Sequence, residues 1–137
     1  MDEINYNYSE EEINMMDDEM ELDLERFTGI GRSYQPKVSI RRTGQIGFSV
    51  GAIQQFNLKD YSYAVLFYDS THMVIGIKPT KEPEKDAYSL RVRDVGADVT
   101  AKAFLDYFQI PHTETKQYKA MWSDKYQMVL VYLNSND

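Results

Sequence analysis

The stretch Tyr63-Ala-Val-Leu-Phe-Tyr-Asp69, followed by His72-Met-Val-Ile-Gly-Ile-Lys78, contains two runs rich in β-branched, aliphatic and aromatic residues. The polar residues between the runs are typical of a turn, so the stretch predicts a β-hairpin. A similar pair of runs lies near the end of the chain, as Tyr118-Lys-Ala-Met-Trp-Ser-Asp124 and Gln127-Met-Val-Leu-Val-Tyr-Leu133. The second pair repeats the first at an offset of 55 residues (118 − 63), which predicts an internally duplicated chain.

The duplication extends upstream at an offset of 52 residues (96 − 44), where Gly44 aligns with Gly96. Each copy reads as strand, strand, helix, strand, strand, over residues of about 37–78 and 87–133. One such unit leaves a face of its sheet uncovered, whereas two copies related by a pseudo-twofold axis cover each other. We therefore predict an α+β fold: a pseudo-twofold antiparallel sheet or partly open barrel, with the helices packed across it.

Charge divides the chain into two parts. Residues 1–31 contain eleven acidic residues and one basic residue, Arg26, a net charge of −10, whereas residues 32–137 carry +3; together these give the −7 of the whole chain. This asymmetry predicts an acidic N-terminal arm, residues 1–31, beside a weakly basic domain, residues 32–137. The alternative is a solubilising tail beside a nearly neutral domain.

The arm has the pattern of an amphipathic helix over residues of about 9–27. Ser9 and Glu12 form a capping box, in which each side chain satisfies a backbone N–H of the other residue. The apolar stripe of such a helix docks either on its own domain or on a partner protein. The apolar residues that recur every three or four positions are Ile13, Met16, Met20, Leu24 and Phe27.

Length and composition restrict the class of protein. A chain of 137 residues fits one domain, and its 42% hydrophobic content is typical of a globular protein. There is no cysteine, so neither disulfides nor thiolate chemistry are available. The sequence contains no apolar run of about 20 residues and no secretory signal, which predicts a soluble, cytoplasmic protein without a membrane segment.

The usual catalytic and metal-binding patterns are missing from the sequence. The two histidines, His72 and His112, lie in different loops and lack the spacing of metal ligands. Gly29-Ile-Gly31 precedes a strand and lacks the third glycine of a dinucleotide fingerprint. No nucleophile has an adjacent base, and the acids of the arm lack the spacing of a calcium loop. We therefore predict a protein that is not an enzyme and that holds no cofactor or metal.

Basic residues and aromatic rings are predicted to share the outer faces of the sheet. The first strand of each copy carries arginines, and the hairpins add outward aromatic side chains. Cations hold phosphates and rings stack on bases, and proteins bind single-stranded nucleic acids with this combination. The candidate nucleic-acid-binding residues are Lys37, Arg41, Arg42, Arg91, Arg93, Tyr63 and Tyr118.

A second interpretation remains open for several of these side chains. Arg41 and Arg93, which align at the offset of 52, are also what an ordinary solvent-exposed strand would carry. About half of the side chains of a two-faced sheet point into the core. Phe67 and Trp122, which align at the offset of 55, are expected in the core rather than on the binding surface.

The segment Val38-Ser-Ile-Arg-Arg-Thr-Gly-Gln-Ile-Gly-Phe-Ser-Val-Gly-Ala-Ile-Gln-Gln-Phe-Asn-Leu58, with the hairpin that follows it, resembles the swapped-hairpin DNA-binding domains of the AbrB type. That resemblance implies that the basic turn residues, here Arg41 and Arg42, face duplex DNA. The chain departs from the family pattern at Ser49, where a proline is usual. Its second copy is also less basic at the turn, where Asp98 stands.

The order of elements from Tyr63 through Ile110 is similar to one β4α motif of the Whirly-type single-stranded DNA-binding proteins. This resemblance is topological, covers most of residues 37–133 and involves no signature motif. It implies binding of single strands through basic and aromatic residues on the sheet faces.

These observations together predict a nucleic-acid-binding module that favours single-stranded DNA and acts as a transcription or replication accessory factor. The acidic arm is expected to act as a removable cover over the arginines, because its carboxylates resemble phosphates in charge. The rival predictions are a protein-interaction or self-assembly module, with a homo-oligomer or a partner bound through the arm helix, and an AbrB-like regulator that binds duplex DNA.

Overall fold

The computed structural model describes residues 9–19, 22–26 and 35–134, and it places nine strands and three short helices in them. The strands are β1 (Lys37–Ile40), β2 (Gln45–Phe48), β3 (Tyr63–Asp69), β4 (Val74–Thr80), β5 (Tyr88–Ser89), β6 (Arg91–Val92), β7 (Ala97–Thr100), β8 (Lys116–Ser123) and β9 (Met128–Tyr132). The helices are α1 (Glu10–Glu19), α2 (Val50–Gln55) and α3 (Lys102–Tyr107), and a 3₁₀ turn spans Leu58–Asp60. The sheet is antiparallel throughout, with the order β5-β3-β4-β9-β8-β1-β2-β7-β6.

This sheet curls into a nearly closed barrel because two segments bend from one half of it to the other. β5 pairs with β3 and β6 pairs with β7, yet only the buried Leu90 separates β5 from β6 in the sequence. The two edges of the sheet are therefore halves of one bent segment. The second bend lies in β8, where residues 116–119 pair with β1 and residues 120–123 pair with β9. Near closure leaves little unpaired strand edge.

The pairings join each half of the chain to the other. β2 pairs with β7 and β4 pairs with β9, so neither half forms a sheet by itself. The β3–β4 and β8–β9 hairpins share one register at a spacing of 54 residues: Asp69 is opposite Val74, as Ser123 is opposite Met128. In β4–β9 the opposed residues Gly76 and Leu130 are themselves 54 residues apart, so an approximate twofold axis passes between them.

The predicted hairpin offset of 55 is therefore wrong by one residue. Because successive side chains point to opposite faces of a strand, a slip of one residue exchanges the inner and outer faces. Phe67 is 45% exposed on the outside of the barrel, so the expectation that it lies in the core is wrong. Trp122 packs against the core, with its ring centroid 6.5 Å from that of Phe56.

The predicted fold class is also wrong. The described chain is mostly β, with a nearly closed nine-stranded barrel and three short helices, instead of an α+β domain with a long N-terminal helix. The arm helix begins as predicted, since the Ser9 hydroxyl accepts the Glu12 N–H at 3.1 Å. It ends at Glu19, and residues 22–26 are not helical. Acidic residues and no basic residue occupy its last turn, where they oppose the negative end of the helix dipole. The predicted apolar positions Met20 and Phe27 lie outside the described residues.

Two short helices follow β2 and β7 and add apolar side chains to the barrel core. The Ser49 hydroxyl caps α2 by accepting the Ala52 N–H at 3.2 Å. It also accepts the backbone N–H of Lys37 at 2.9 Å, which fixes the start of β1 beside the helix. Ile53 of α2 and Leu105 of α3 are buried in the core.

Candidate nucleic-acid interface

The outward side of β1, β2, β6 and β7 is polar. Strand alternation directs Val38, Ile40, Ile46 and Phe48 into the core and leaves the intervening positions outside. Lys37 is directly opposite Lys119 across the β1–β8 pairing. We define the basic face as Lys37, Arg41, Arg91, Arg93 and Lys119, together with the polar residues between them, Ser39, Gln45, Gly47, Asp98 and Thr100.

Asp98 anchors two arginines of the basic face. Its buried carboxylate accepts one hydrogen bond from Arg91 Nε at 2.8 Å and another from Arg93 Nη1 at 2.9 Å. Arg91 also donates to the Thr100 hydroxyl at 3.0 Å. Charge-assisted hydrogen bonds of this kind fix the orientation of a guanidinium group. The arginine side chains remain 49% and 61% exposed, so the three charged groups present a net charge of +1 to solvent.

Arg41 occupies the corresponding place in the β1–β2 hairpin, but its partner is an amide. Its Nη1 donates to Gln45 Oε1 at 3.0 Å, and its guanidinium lies directly over Gly47. Even a methyl group at position 47 would collide with the guanidinium, so this close approach needs the glycine. Among the ion pairs of the described residues, none involves Arg41. The hydrogen-bond partner of Arg41 is therefore a neutral amide, whereas Arg91 and Arg93 share a carboxylate.

The structure separates the other predicted site residues from this face. Arg42 is exposed at the hairpin tip, where its backbone N–H donates to the Thr115 hydroxyl at 3.1 Å. Tyr63 lies on β3, in the other half of the barrel. Tyr118 packs against the core opposite Val38, and burial raises the pKa of its hydroxyl. Four of the seven predicted residues thus share one face, and both predicted tyrosines are elsewhere.

The sequence reasoning missed Asp98 and Gln45 as partners of the arginines. Residues 94–98 were expected to form a turn, whereas Asp98 lies within β7. Asp98 is directly opposite Arg91 in the local β6–β7 pairing, so Arg91 and Arg93 shortly before it in the sequence were a usable signal for these contacts. Asp98 is also opposite Gly47 in the β2–β7 pairing, which joins the two halves of the chain and which no local pattern contains.

The opposite side of the barrel is apolar. Phe67, Gly76, Leu130 and Met121 form one row across β3, β4, β9 and β8. A cavity of about 480 Å³ lies over Phe67, Gly76 and Leu130 and is also lined by Met128 and Tyr132, with Asp69 and His72 among its polar lining residues. We define the apolar face as the four residues of the row together with Met128 and Tyr132. In the strand order the β4–β9 pairing lies halfway round the barrel from β2–β7, so Gly76 and Gly47 lie on opposite sides of the barrel. The two faces meet on β8, where Lys119 lines one cavity with Met121 and Tyr132.

Another cavity, of about 460 Å³, is lined by Arg42, Asp106 and His112. His112 Nδ1 is 3.0 Å from the Ile110 carbonyl oxygen, and Nε2 is 3.4 Å from Asp106 Oδ1. The hydrogen bond from Lys102 lowers the pKa of Asp106. Within the described residues no three potential ligands are grouped to hold a metal ion.

Comparisons with protein-family models, with curated protein sequences and with solved structures give no significant match. The resemblances to AbrB-type and Whirly-type domains therefore stay predictions. None of the helices in the described part of the chain is long and apolar enough to cross a membrane.

Proposed function

We propose that the chain is a nucleic-acid-binding module whose basic face contacts the phosphate backbone. One observation carries this proposal: the side chains of Lys37, Arg41, Arg91 and Arg93 belong to one outward face, whose acidic member, Asp98, is buried beneath two of them. Hydrogen bonds hold the guanidinium groups in place before any ligand binds. Such groups suit phosphate oxygens, which accept paired N–H donors.

The separation of the two faces favours duplex DNA over a single strand. Binding of single strands gains roughly 1–3 kcal/mol for each base that stacks on an aromatic ring. None of the residues that define the basic face is aromatic. The exposed ring of Phe67 lies on β3, away from this face, and Tyr132 adjoins only its Lys119 edge. A duplex needs no stacking, because it presents two rows of phosphates to cations and backbone donors. Preference for single strands, the expectation from sequence, is the second candidate.

The experiment is fluorescence anisotropy with a labelled duplex of about 20 base pairs and a single strand of the same sequence. We expect the full chain to bind the duplex more tightly at 50 mM salt. Four phosphate contacts would give a slope of log Kd against log salt of roughly 3.6, about 0.9 for each contact. Equal binding to both probes, or tighter binding to the single strand, would contradict the preference for duplex DNA and favour binding through bases stacked on aromatic rings.

Two variants distinguish binding through the basic face from binding that depends only on the net charge of the protein. Arg41→Gln should weaken duplex binding several-fold and reduce the salt slope by about 0.9, because it removes one phosphate contact. Arg42→Gln is the matched control: it removes the same charge from the next residue, whose side chain lines a different cavity. If both variants weaken binding equally, net charge alone explains the affinity.

A protein-interaction module is the competing function, and the apolar face is the observation that favours it. Phe67, Met121 and Tyr132 are 45%, 56% and 39% exposed. They lie on β3, β8 and β9, and Gly76 of β4 stands between Phe67 and Leu130 of β9. Contiguous exposed apolar side chains are typical of surfaces that bind another protein segment. Sedimentation that gives a stable oligomer, combined with no binding to either DNA probe, would favour this function.

A further inference from the structure

We propose that the arm segment 22–26 docks within the same molecule on the apolar face, with Leu22 and Leu24 over the row at Gly76. This inference is independent of the proposed binding of nucleic acid. In the structure Leu22 and Leu24 are 60% and 85% exposed, and Phe67 and Met121 of the apolar face are 45% and 56% exposed. One chain therefore carries two sets of exposed apolar side chains.

The apolar face has the form of a shallow groove. Gly76 provides a floor without a side chain between Phe67 on β3 and Leu130 on β9. A methyl group placed on Gly76 would overlap with Met128 Sδ, so the thioether lies over this floor and forms part of the surface of the groove. Methionine and aromatic walls adapt to aliphatic side chains of different shapes. The groove of about 480 Å³ is large enough for two leucine side chains.

The arm segment has the sequence of an extended, one-sided ligand. Leu22-Asp-Leu-Glu25 alternates apolar and acidic residues, and the segment is not helical. In extended backbone Leu22 and Leu24 point to one side and the acids point to the other. Docking would bury the leucines and leave both carboxylates in water. The nearly closed barrel offers little free strand edge, so contact through side chains is the mode that this surface supports.

The point at which the arm joins the barrel favours docking within one molecule. Gln35 and Pro36 line a cavity with Met121 and Tyr132, and Tyr132 also lines the groove over Gly76. The described barrel therefore begins at the rim of the apolar face. The eleven residues from Leu24 to Gln35 span up to about 36–40 Å when extended. The distance from β8 to β3 is three strand spacings, about 14 Å, which is well within this reach. A short tether also gives an effective concentration near the millimolar range.

This position differs from the cover over the arginines that the charge pattern predicts. The row at Gly76 and the arginines over Asp98 lie on opposite sides of the barrel, so segment 22–26 cannot contact both. The apolar face is the better site for residues 22–26, because it accounts for Leu22 and Leu24 as well as for the acids. An arm docked there leaves the basic face open.

Paramagnetic relaxation enhancement in the full chain tests the proposal. The chain contains no cysteine, so Glu25→Cys provides one attachment point for a nitroxide label on the solvent side of the segment. We expect the amide signals of Gly76 and Leu130 to lose more than half of their intensity, while those of Gly47 and Asp98 remain. Loss at Gly47 and Asp98 instead would place the arm on the basic face, and loss at neither site would show that the arm does not dock. Either result would overturn the proposal.

Two controls complete the test. Leu22→Ser combined with Leu24→Ser should restore the Gly76 and Leu130 signals, whereas Asp23→Asn should leave the broadening unchanged. Both leucines are exposed, so their replacement leaves the barrel folded, which the spectrum of the barrel verifies. Mixing spin-labelled chains with ¹⁵N-labelled, unmodified chains separates the two modes of docking. Broadening in the ¹⁵N-labelled chains would assign the groove to the arm of a second copy and refute docking within one molecule.

Discussion

Replacing Asp98 by asparagine should lower stability and raise the salt dependence of DNA binding at the same time. Asp98 is 3% exposed and accepts hydrogen bonds from Arg91 and Arg93 at 2.8 and 2.9 Å. An asparagine of the same shape keeps one acceptor oxygen, but its NH₂ group faces a guanidinium donor. The substitution therefore breaks one charge-assisted bond and leaves two arginines without a counter-charge.

The expected magnitude follows from the exposure of the three groups. Hydrogen bonds to charged groups contribute about 1.5–3 kcal/mol, and solvent screening of the half-exposed arginines reduces this. We expect the free energy of unfolding to fall by about 1–2 kcal/mol, which lowers Tm by roughly 3–10 °C. The basic face gains one positive charge, so the slope of log Kd against log salt for the duplex should steepen by up to about 0.9.

The matched control is Asp94→Asn, which makes the same change in charge four residues earlier. The Asp94 side chain is 98% exposed and lies 3.8 Å from Lys59 Nζ, so its loss should change stability by less than about 0.5 kcal/mol. Thermal and urea unfolding give the stability of both variants, and anisotropy gives the salt slopes. Equal stability of the two variants would refute the anchoring role of Asp98. Equal salt slopes would refute the assignment of phosphate binding to the basic face.

Two further predictions concern the β3–β4 turn and the arm. The hydrogen bond from His72 Nδ1 to Asp69 Oδ2, at 2.7 Å, lowers the pKa of Asp69 below its ordinary 3.8. The contribution of this bond to stability is thus present above pH 3.8 and is lost as the pH falls through the lowered pKa; a carboxyl NMR titration should find the pKa closer to 3.8 in His72→Ala. Deleting residues 1–31 should change duplex affinity less than about threefold at 0.15 M salt. At that ionic strength charges more than about 8 Å apart are screened from each other. We place segment 22–26 over Gly76, on the side of the barrel opposite Asp98. A tenfold gain in affinity would instead support the arm as a cover of the arginines.

Local patterns predicted local structure well. The run from Tyr63 to Asp69 is β3, and Ser9 caps its helix as expected. These features depend on neighbouring residues, so one stretch of sequence contains the information that determines them. The length of the arm helix was overestimated, because the apolar spacing was followed past the acids that end α1 at Glu19.

The register and the site depended on long-range pairing and were therefore harder to predict. The offset of 55 aligned like residues, Tyr63 with Tyr118, yet those tyrosines point to opposite faces. A match of residue types between two strands does not show which face of each strand is buried, and a slip of one residue exchanges the faces. The anchoring of Arg91 and Arg93 by Asp98 is local, because Asp98 is directly opposite Arg91 in the β6–β7 pairing. Only the joining of this pair to the β1–β2 half of the basic face required the β2–β7 pairing, which connects residues about fifty positions apart.

The difference between the two halves of the basic face leads to a final prediction. Each hairpin supplies an arginine that bonds to a polar residue on its second strand, but that residue is Gln45 in one half and Asp98 in the other. The half with the amide therefore keeps the full charge of Arg41, and we expect that half to dominate phosphate binding. Gln45→Asp gives the first half the arrangement of the second and should weaken duplex binding several-fold.

Stability separates this explanation from damage to the fold. The carboxylate introduced by Gln45→Asp would pair with Arg41 near the surface, a contact that contributes about 0–1 kcal/mol, so the free energy of unfolding should stay level or rise slightly. Gln117→Glu is the control, because it adds the same negative charge on β8, where Gln117 is directly opposite Ser39 of β1. Weaker binding by Gln45→Asp with unchanged stability, and a smaller effect of Gln117→Glu, would assign the loss to Arg41. Unchanged affinity of Gln45→Asp would mean that Arg41 does not contact DNA, and the basic face would then lose its strongest support as the binding surface.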